Sequence, residues 1–188
     1  MNRLVGIIGK ARTGKSSVAR HLRENRDFFP VAFATPSRDM LNVLFMHLGI
    51  APRWDDEGWK EAPLPGIGKS PRQLHQTLGT DWGRNLVHEG LWVDAAAREL
   101  GLMEYVGYQD LVVEDVRFHN EAQFILDQGG VLIHLIRPDA KPVAAHSSEQ
   151  ADWTGFERHE VINNGSLENL FHLVDNILGM YAVDHTTA

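Results

Sequence analysis

The sequence predicts an α/β layered fold around a mostly parallel sheet. Short, unbroken apolar runs alternate with segments of helical period, the pattern of strands buried between helices. A glycine- and lysine-bearing turn directly after the first run marks the sheet edge where a ligand is expected.

The elements follow in order. Leu4-Val5-Gly6-Ile7-Ile8 suits a strand buried on both faces. From Lys15 a helix carries Val18, Ala19 and Leu22 on one side, with Arg20 and Arg23 elsewhere. Val31-Ala32-Phe33-Ala34 reads as the second strand. Thr35-Pro36 offers a hydroxyl cap and a first-turn proline. Met40, Leu41, Leu44, Phe45 and Leu48 then recur at helical spacing until Gly49. Residues 50–69, with Pro52, Pro63, Pro65, Gly58, Gly66 and Gly68, read as an irregular surface excursion. Ser70-Pro71-Arg72-Gln73 is a capping box with proline at the first helical position. That helix carries Leu74 and Leu78 and is interrupted at Gly79. A further helix is expected near Trp92–Leu100, stopped by Gly101. Leu111-Val112-Val113 is a third buried strand ending in Glu114-Asp115, and Asn120 caps a helix that runs to Gly129-Gly130. Val131–Ile136 is a fourth strand, residues 137–158 a polar, mobile loop, and Val161-Ile162 a short last strand. Ser166 opens a final helix with Leu167, Leu170, Phe171, Val174, Ile177 and Leu178 on its buried side.

Bulk composition narrows the classes. The 188 residues are 43% hydrophobic, which fits one globular domain and not a disordered chain. A net charge of −7 argues against direct nucleic-acid binding. With no cysteine there are no disulfides or thiolate metal sites, and a reducing cytoplasm is the expected setting. The apolar run at the N-terminus is too short for a signal peptide, and no stretch reaches the ~20 apolar residues of a membrane-spanning helix.

Two Gly-Lys-Ser triplets compete for the role of phosphate grip. Gly9-Lys10-Ala11-Arg12-Thr13-Gly14-Lys15-Ser16 matches G-x-x-x-x-G-K-[ST]. Its glycines let the backbone curl with N–H groups inward, and its lysine adds charge at the β/γ-phosphates. The serine hydroxyl ligates Mg²⁺, and the following helix presents its positive end to the same anion. The second triplet, Gly68-Lys69-Ser70, has Pro63 where the first glycine should stand and no strand before it. Ser70 is explained as a cap and Lys69 as a solvated loop residue.

A nucleotide cradle alone fits a switch, a motor or a kinase. No N-K-x-D string reads a guanine base, and Asp127-Gln128-Gly129-Gly130 lies at a helix end, so a GTP switch is not expected. Phosphoryl transfer between two polyanions calls for Mg²⁺ and extra positive charge. Asp115 stands at the end of a central strand, where it would hold Mg²⁺ through water; Glu114 is the alternative. Arg38, Arg72, Arg84, Arg117, Arg137 and Arg158 are spread along the expected rim, and arginine's planar fork suits phosphate. Arg84 leads because it follows Gly79-Thr80-Asp81-Trp82-Gly83, where backbone could approach a ligand. The ten histidines include no metal-ligand spacing; His119 and His134 flank the expected site in structural roles. The five tryptophans are read as packing or rim residues.

GKARTGKSS at the start, SPRQLHQTLGTDWGR at 70–84, VVEDVRFHNEA at 112–122 and HSSE at 146–149 together resemble the deoxynucleoside monophosphate kinases of tailed bacteriophages. The resemblance implies a three-layer α/β/α P-loop NTPase fold of the adenylate-kinase kind over 1–188. It implies an acceptor-binding helical insertion at about 36–100 and a mobile lid at about 137–158. It further implies transfer of the γ-phosphate of ATP to a deoxynucleoside monophosphate, with Mg²⁺ as cofactor. By position, Gly9, Arg12, Thr13, Gly14, Lys15, Ser16 and Ser17 would bind ATP, with Ser16 and Asp115 serving the metal. Arg38, Arg72, Arg84, Asp115 and Arg117 would contact the acceptor, and Lys15, Asp115, Arg84 and Arg137 would act in transfer. His146, Ser148 and Glu149 match without an assignable role. A host-cytoplasmic location follows if the chain is phage-encoded, and a homodimer stays open. Two other readings stay open: a dephospho-coenzyme-A-kinase-like enzyme, and a binding module that hydrolyses nucleotide slowly.

Overall fold

The computed structural model describes residues 3–139 and 152–184. They form two compact units: residues up to Ala32 together with those from Ala97 onward, and Phe33–Ala96.

The first unit holds the sheet. Its strands are β1 (Arg3–Ile8), β2 (Phe29–Val31), β3 (Asp110–Val113), β4 (Val131–Ile136) and β5 (His159–Ile162). They lie in the order β2-β3-β1-β4-β5, and every pairing is parallel. β1 is therefore central, flanked by β3 in the register Val5↔Val112 and by β4 in the register Val5↔Val131. Chain order reverses direction around β1, so the crevice at its carboxyl end is the expected ligand position.

Strand alternation sends Val5, Ile7, Val112, Val131, Ile133 and Leu135 to one face. Two helices cover that face: α1 (Lys15–Asn25) through Val18, Ala19 and Leu22, and α7 (Leu167–Asp184) through Leu170, Val174, Ile177 and Leu178. The other face receives α6 (His119–Asp127), whose Ile125 meets Leu132 over Gly6. Val5, Ile7 and Ile133 are fully buried, each worth about 1.5–3 kcal/mol against an exposed position. The layered parallel sheet anticipated from the apolar runs is present.

α1 and α7 are also joined by a polar cluster. Asp175 accepts from Arg26 Nε and Nη2 at 3.0 and 2.7 Å, and lies 3.1 Å from His21 Nε2. The His21 ring stacks on Phe171 at 4.3 Å. Burial pushes the Asp175 carboxyl up, but the hydrogen bonds from Arg26 and His21 outweigh it and hold the group below the usual carboxylate range. The carboxylate therefore stabilises the fold above its unfolded pKa of about 3.9, and this contribution is lost as pH falls through the lowered folded value. Asp175→Asn should flatten the acid-side decline of unfolding free energy. Denaturation series at several acidic pH values should show it, and curves parallel to wild type would count against it.

The second unit contains α2 (Thr35–His47), α3 (Glu57–Glu61), α4 (Pro71–Gln76), a π-helical continuation at Thr77–Val87, and the start of α5 (Leu91–Val106). Several boundaries differ from expectation. The second strand is Phe29–Val31, and Ala34 lies outside it as the N-cap of α2. Thr35 makes no capping bond; Ser37 Oγ donates to the Ala34 carbonyl at 2.9 Å instead. Residues 50–69 are not simply irregular. They contain α3 and pack Trp59 and Leu64 with Leu41 and Phe45, with Trp54 against Trp59 edge-on at 5.4 Å. The Ser70 capping box forms as expected, with Gln73 N–H donating to Ser70 Oγ at 3.2 Å and Ser70 N–H to Gln73 Oε1 at 3.0 Å. Helical geometry then runs through Gly79 and Gly83, and α5 runs through Gly101. α6 is capped at Phe118, so Asn120 lies inside the helix.

Candidate active site

The phosphate-grip sequence occupies the turn between β1 and α1, at the carboxyl edge of the central strand. Three of its residues take positive φ: Gly9 at 145°, Arg12 at 65° and Gly14 at 108°. Together they curl the backbone into a compact loop. A Cβ on Gly9 would stand 2.5 Å from the Leu135 carbonyl oxygen of β4, and one on Gly14 would stand 2.9 Å from Asn163 Nδ2. Both glycines are thus required by space as well as by dihedral.

Side chains close the loop from within. Lys15 Nζ donates to the carbonyls of Gly9 at 2.6 Å and Lys10 at 2.8 Å, so it folds across the loop. Thr13, 3% exposed, donates its hydroxyl to the Lys10 carbonyl at 2.8 Å. Asn163 Nδ2 donates to the Thr13 carbonyl at 2.9 Å. Gly14 serves as the N-cap of α1 without a side-chain cap, and the first turn carries no acidic residue. Gly14 thus has no side chain to cap this 11-residue helix, and the dipole at its start favours an anion. Ser16 is exposed and Ser17 half-buried in that first turn.

Asp115 lies two residues beyond β3, beside β1 in the sheet, and is 9% exposed; Glu114 is half-buried. Among the described residues no group of three or more His, Cys, Asp or Glu could hold a metal ion alone. The two residues expected from the sequence to serve a metal, Ser16 and Asp115, carry hard oxygens. They fit Mg²⁺, which takes one or two protein oxygens with phosphates and water completing the octahedron.

Arg117 is half-buried, and its backbone N–H donates to Glu121 Oε2 at 2.7 Å. That carboxylate, 3% exposed, also accepts from the Phe118 N–H at 3.1 Å. Glu121 thus fixes the turn carrying Arg117 onto the start of α6. Arg137 is exposed, directly after β4. Most of the expected lid, with His146, Ser148 and Glu149, lies outside the described residues.

Arg158, grouped by sequence with the rim arginines, sits elsewhere. It immediately precedes β5 and so lies at the amino-terminal edge of the parallel sheet, opposite the loop. Its guanidinium donates to the carbonyls of Trp153 and Phe156 and to Glu160. His134 stands inside β4 paired with Ile8; burial, and then Arg158, hold its pKa below the usual value. His119 packs against Trp153 and Phe156, with its Nε2 2.6 Å from the Asp152 carbonyl.

In the second unit, Arg38 is half-buried in the first turn of α2. Arg72 pairs with Glu57 at 2.9 Å and Glu61 at 2.5 Å, tying α4 to α3. Arg84 is 9% exposed in the π-helical segment, next to Gly83. Gly83 serves packing: a Cβ there would lie 2.3 Å from Trp92 Cζ2. Lys69 is exposed in the turn closed by the Leu64 N–H on its carbonyl.

The sequence reading missed Asn163. The available signal was positional: a polar residue directly after a strand, at the carboxyl edge where open α/β sheets place ligands.

A model of the deoxynucleotide monophosphate kinase family matches residues 68–174, more than half of the chain. A protein of Acanthamoeba polyphaga mimivirus, provisionally named a deoxynucleotide monophosphate kinase, is 29% identical over 183 residues, covering 89% of this chain and 92% of that one. The deoxynucleotide monophosphate kinase of Enterobacteria phage T4 is 32% identical over 137 residues, covering 66% of this chain and 57% of that one. Matches to the three phage relatives span 43%, 45% and 57% of their lengths. Among solved structures, dephospho-CoA kinase from Campylobacter jejuni aligns with a TM-score of 0.54 at 12% identity, covering 98% of this chain and 100% of that one. That likeness is one of fold. Among the described residues no helix is long and apolar enough to cross a membrane.

Proposed function

The chain belongs to the deoxynucleotide monophosphate kinase family, and from that membership we propose that it transfers the γ-phosphate of ATP to a deoxynucleoside 5′-monophosphate. The observation that carries the donor half is the curled loop 9–14 with Lys15 folded across it at the start of α1. The family match supplies the class of acceptor.

In this reading the loop and the first turn of α1 hold the triphosphate through Gly9, Arg12, Thr13, Gly14, Lys15, Ser16 and Ser17. Lys15 exchanges its carbonyl partners for β- and γ-phosphate oxygens. Ser16 and Asp115, the latter through water, would hold Mg²⁺, which when bound offsets the charge of the β- and γ-oxygens. An acceptor phosphate oxygen attacks the γ-phosphorus, the bond to the β-phosphate oxygen breaks, and ADP leaves with that electron pair. The nucleophile is already anionic, so no strong general base is needed. Positioning and charge neutralisation supply the rate.

In the second unit Arg38 and Arg84 serve the acceptor phosphate; in the first, Arg117 serves phosphate at the start of α6 and Arg137 the transferring group. Burial supports Arg84, because a guanidinium withdrawn from water binds a phosphate more strongly. Arg72 binds phosphate only in exchange for Glu57 or Glu61. The enzyme works in the cytoplasm that holds its substrates.

A coupled assay of ADP release, run with each deoxynucleoside monophosphate and with dephospho-coenzyme A, tests the reading. ADP release should depend on at least one monophosphate, with turnover of about 1–100 per second. Stimulation by dephospho-coenzyme A alone, or hydrolysis indifferent to every acceptor, would overturn it.

A further inference from the structure

We propose that Asn163 is a positioning residue for the phosphate loop: its side-chain amide fixes the Thr13–Gly14 peptide plane so that the Gly14 N–H faces the triphosphate. The inference rests on the ATP-binding reading of that loop.

Asn163 is held at both ends. It is the first residue beyond β5, and its backbone N–H donates to the Ile136 carbonyl at 2.7 Å, anchoring it to the last residue of β4. Its side chain is buried, 6% exposed, and donates through Nδ2 to the Thr13 carbonyl at 2.9 Å across 150 residues of sequence. A buried amide on a sheet-anchored backbone is a stiff support.

The consequence follows from peptide geometry. No cis peptide bond occurs among the described residues, and in a planar trans peptide the C=O and N–H point in opposite directions. Drawing the Thr13 oxygen towards Asn163 turns the Gly14 N–H away from Asn163, into the loop. Without this bond the plane has little to hold it, because Gly14 has no Cβ and glycine rotates freely. The same glycine allows the approach, since a Cβ there would lie 2.9 Å from Nδ2. The Gly9 and Lys10 carbonyls are also bound, by Lys15 and Thr13. With the Thr13 carbonyl held by Asn163 and the Lys10 carbonyl by Thr13, two bonds that do not depend on Lys15, amide hydrogens are left to line the concavity, the arrangement that binds anions.

Two substitutions test this. Asn163→Asp sets a carboxylate oxygen against the Thr13 carbonyl, acceptor against acceptor. Asn163→Ala only removes the donor and adds no charge. Calorimetric titration with Mg·ATP and with inorganic tripolyphosphate gives the affinity of the folded protein. Thermal unfolding and the separate KM values for ATP and acceptor accompany it. The expected result is a rise in both dissociation constants of about tenfold for Asn163→Ala and more for Asn163→Asp, with the acceptor KM unchanged. A merely structural role would lower the melting temperature and leave these affinities as they are. Variants that bind ATP and tripolyphosphate within twofold of wild type overturn the inference alone. A wild-type protein that binds neither overturns the phosphate-loop reading and the inference with it.

Discussion

Lys15→Ala should lower kcat by about 100- to 1,000-fold while leaving a folded protein. Nζ lies 2.6 Å from the Gly9 carbonyl and 2.8 Å from the Lys10 carbonyl, at the loop proposed to receive the triphosphate. These two bonds keep the ammonium at the loop, beside the proposed positions of the β- and γ-oxygens, so exchanging the carbonyls for phosphate needs only a short movement. Its charge acts mainly on oxygens whose negative charge shifts during transfer, so the loss should fall on kcat more than on acceptor KM. The structural cost is smaller. Each carbonyl loses one donor near solvent, worth about 1 kcal/mol, because water can replace it. Lys15→Arg should fall between the two, since a planar fork cannot occupy a point-charge position without displacing the loop. Steady-state kinetics with a melting curve on the same preparation separate catalysis from folding. Turnover within a few-fold of wild type would remove Lys15, and the loop with it, from the mechanism.

The curled turn at 9–14 was legible because its constraints are local. Gly9, Gly14, Lys15 and Ser16 form a pattern whose reasons lie within one turn, and Leu4–Ile8 before it reads as a buried strand by itself. The Ser70 capping box was legible for the same reason. Features set by distant partners were not. Asn163 matters through Thr13, and neither residue signals the other. Residues 50–69 read as loop because prolines and glycines mask the contribution of Trp54, Trp59 and Leu64 to a core shared with α2. Arg158 looked like its neighbours on the rim because strand direction had to be known to place it at the opposite edge. Gly79 read as a helix break and Gly83 as part of a stretch where backbone could approach a ligand, yet one faces open space and the other faces an indole.

That last contrast gives an opposed pair of expected results. Neither glycine has positive φ among the described residues, so alanine is compatible with the backbone at both positions, and packing decides the outcome. At Gly79 an added Cβ meets nothing within 4 Å. Gly79→Ala should therefore be neutral or stabilising by up to about 1 kcal/mol, the helix-propensity difference. At Gly83 the same methyl would stand 2.3 Å from Trp92 Cζ2, 2.7 Å from Cε2 and 2.8 Å from Nε1. The ring has little room to yield. Trp92 is 6% exposed, and its Nε1 donates to the Gly79 carbonyl at 2.7 Å. Overpacking costs about 1–3 kcal/mol, and breaking the indole hydrogen bond adds about 1 kcal/mol; together these exceed the propensity gain. Gly83→Ala should thus destabilise by about 1–3 kcal/mol in denaturant unfolding. Combining it with Trp92→Leu should cost less than the sum of the two single changes, because the smaller side chain relieves the clash. The displacement also reaches function through the next residue. Arg84 follows Gly83 directly, so an acceptor KM that rises in Gly83→Ala but not in Gly79→Ala would tie Arg84 to the acceptor. Equal stability of the two alanine variants would show that the indole yields without cost, and the packing account of Gly83 would then be wrong.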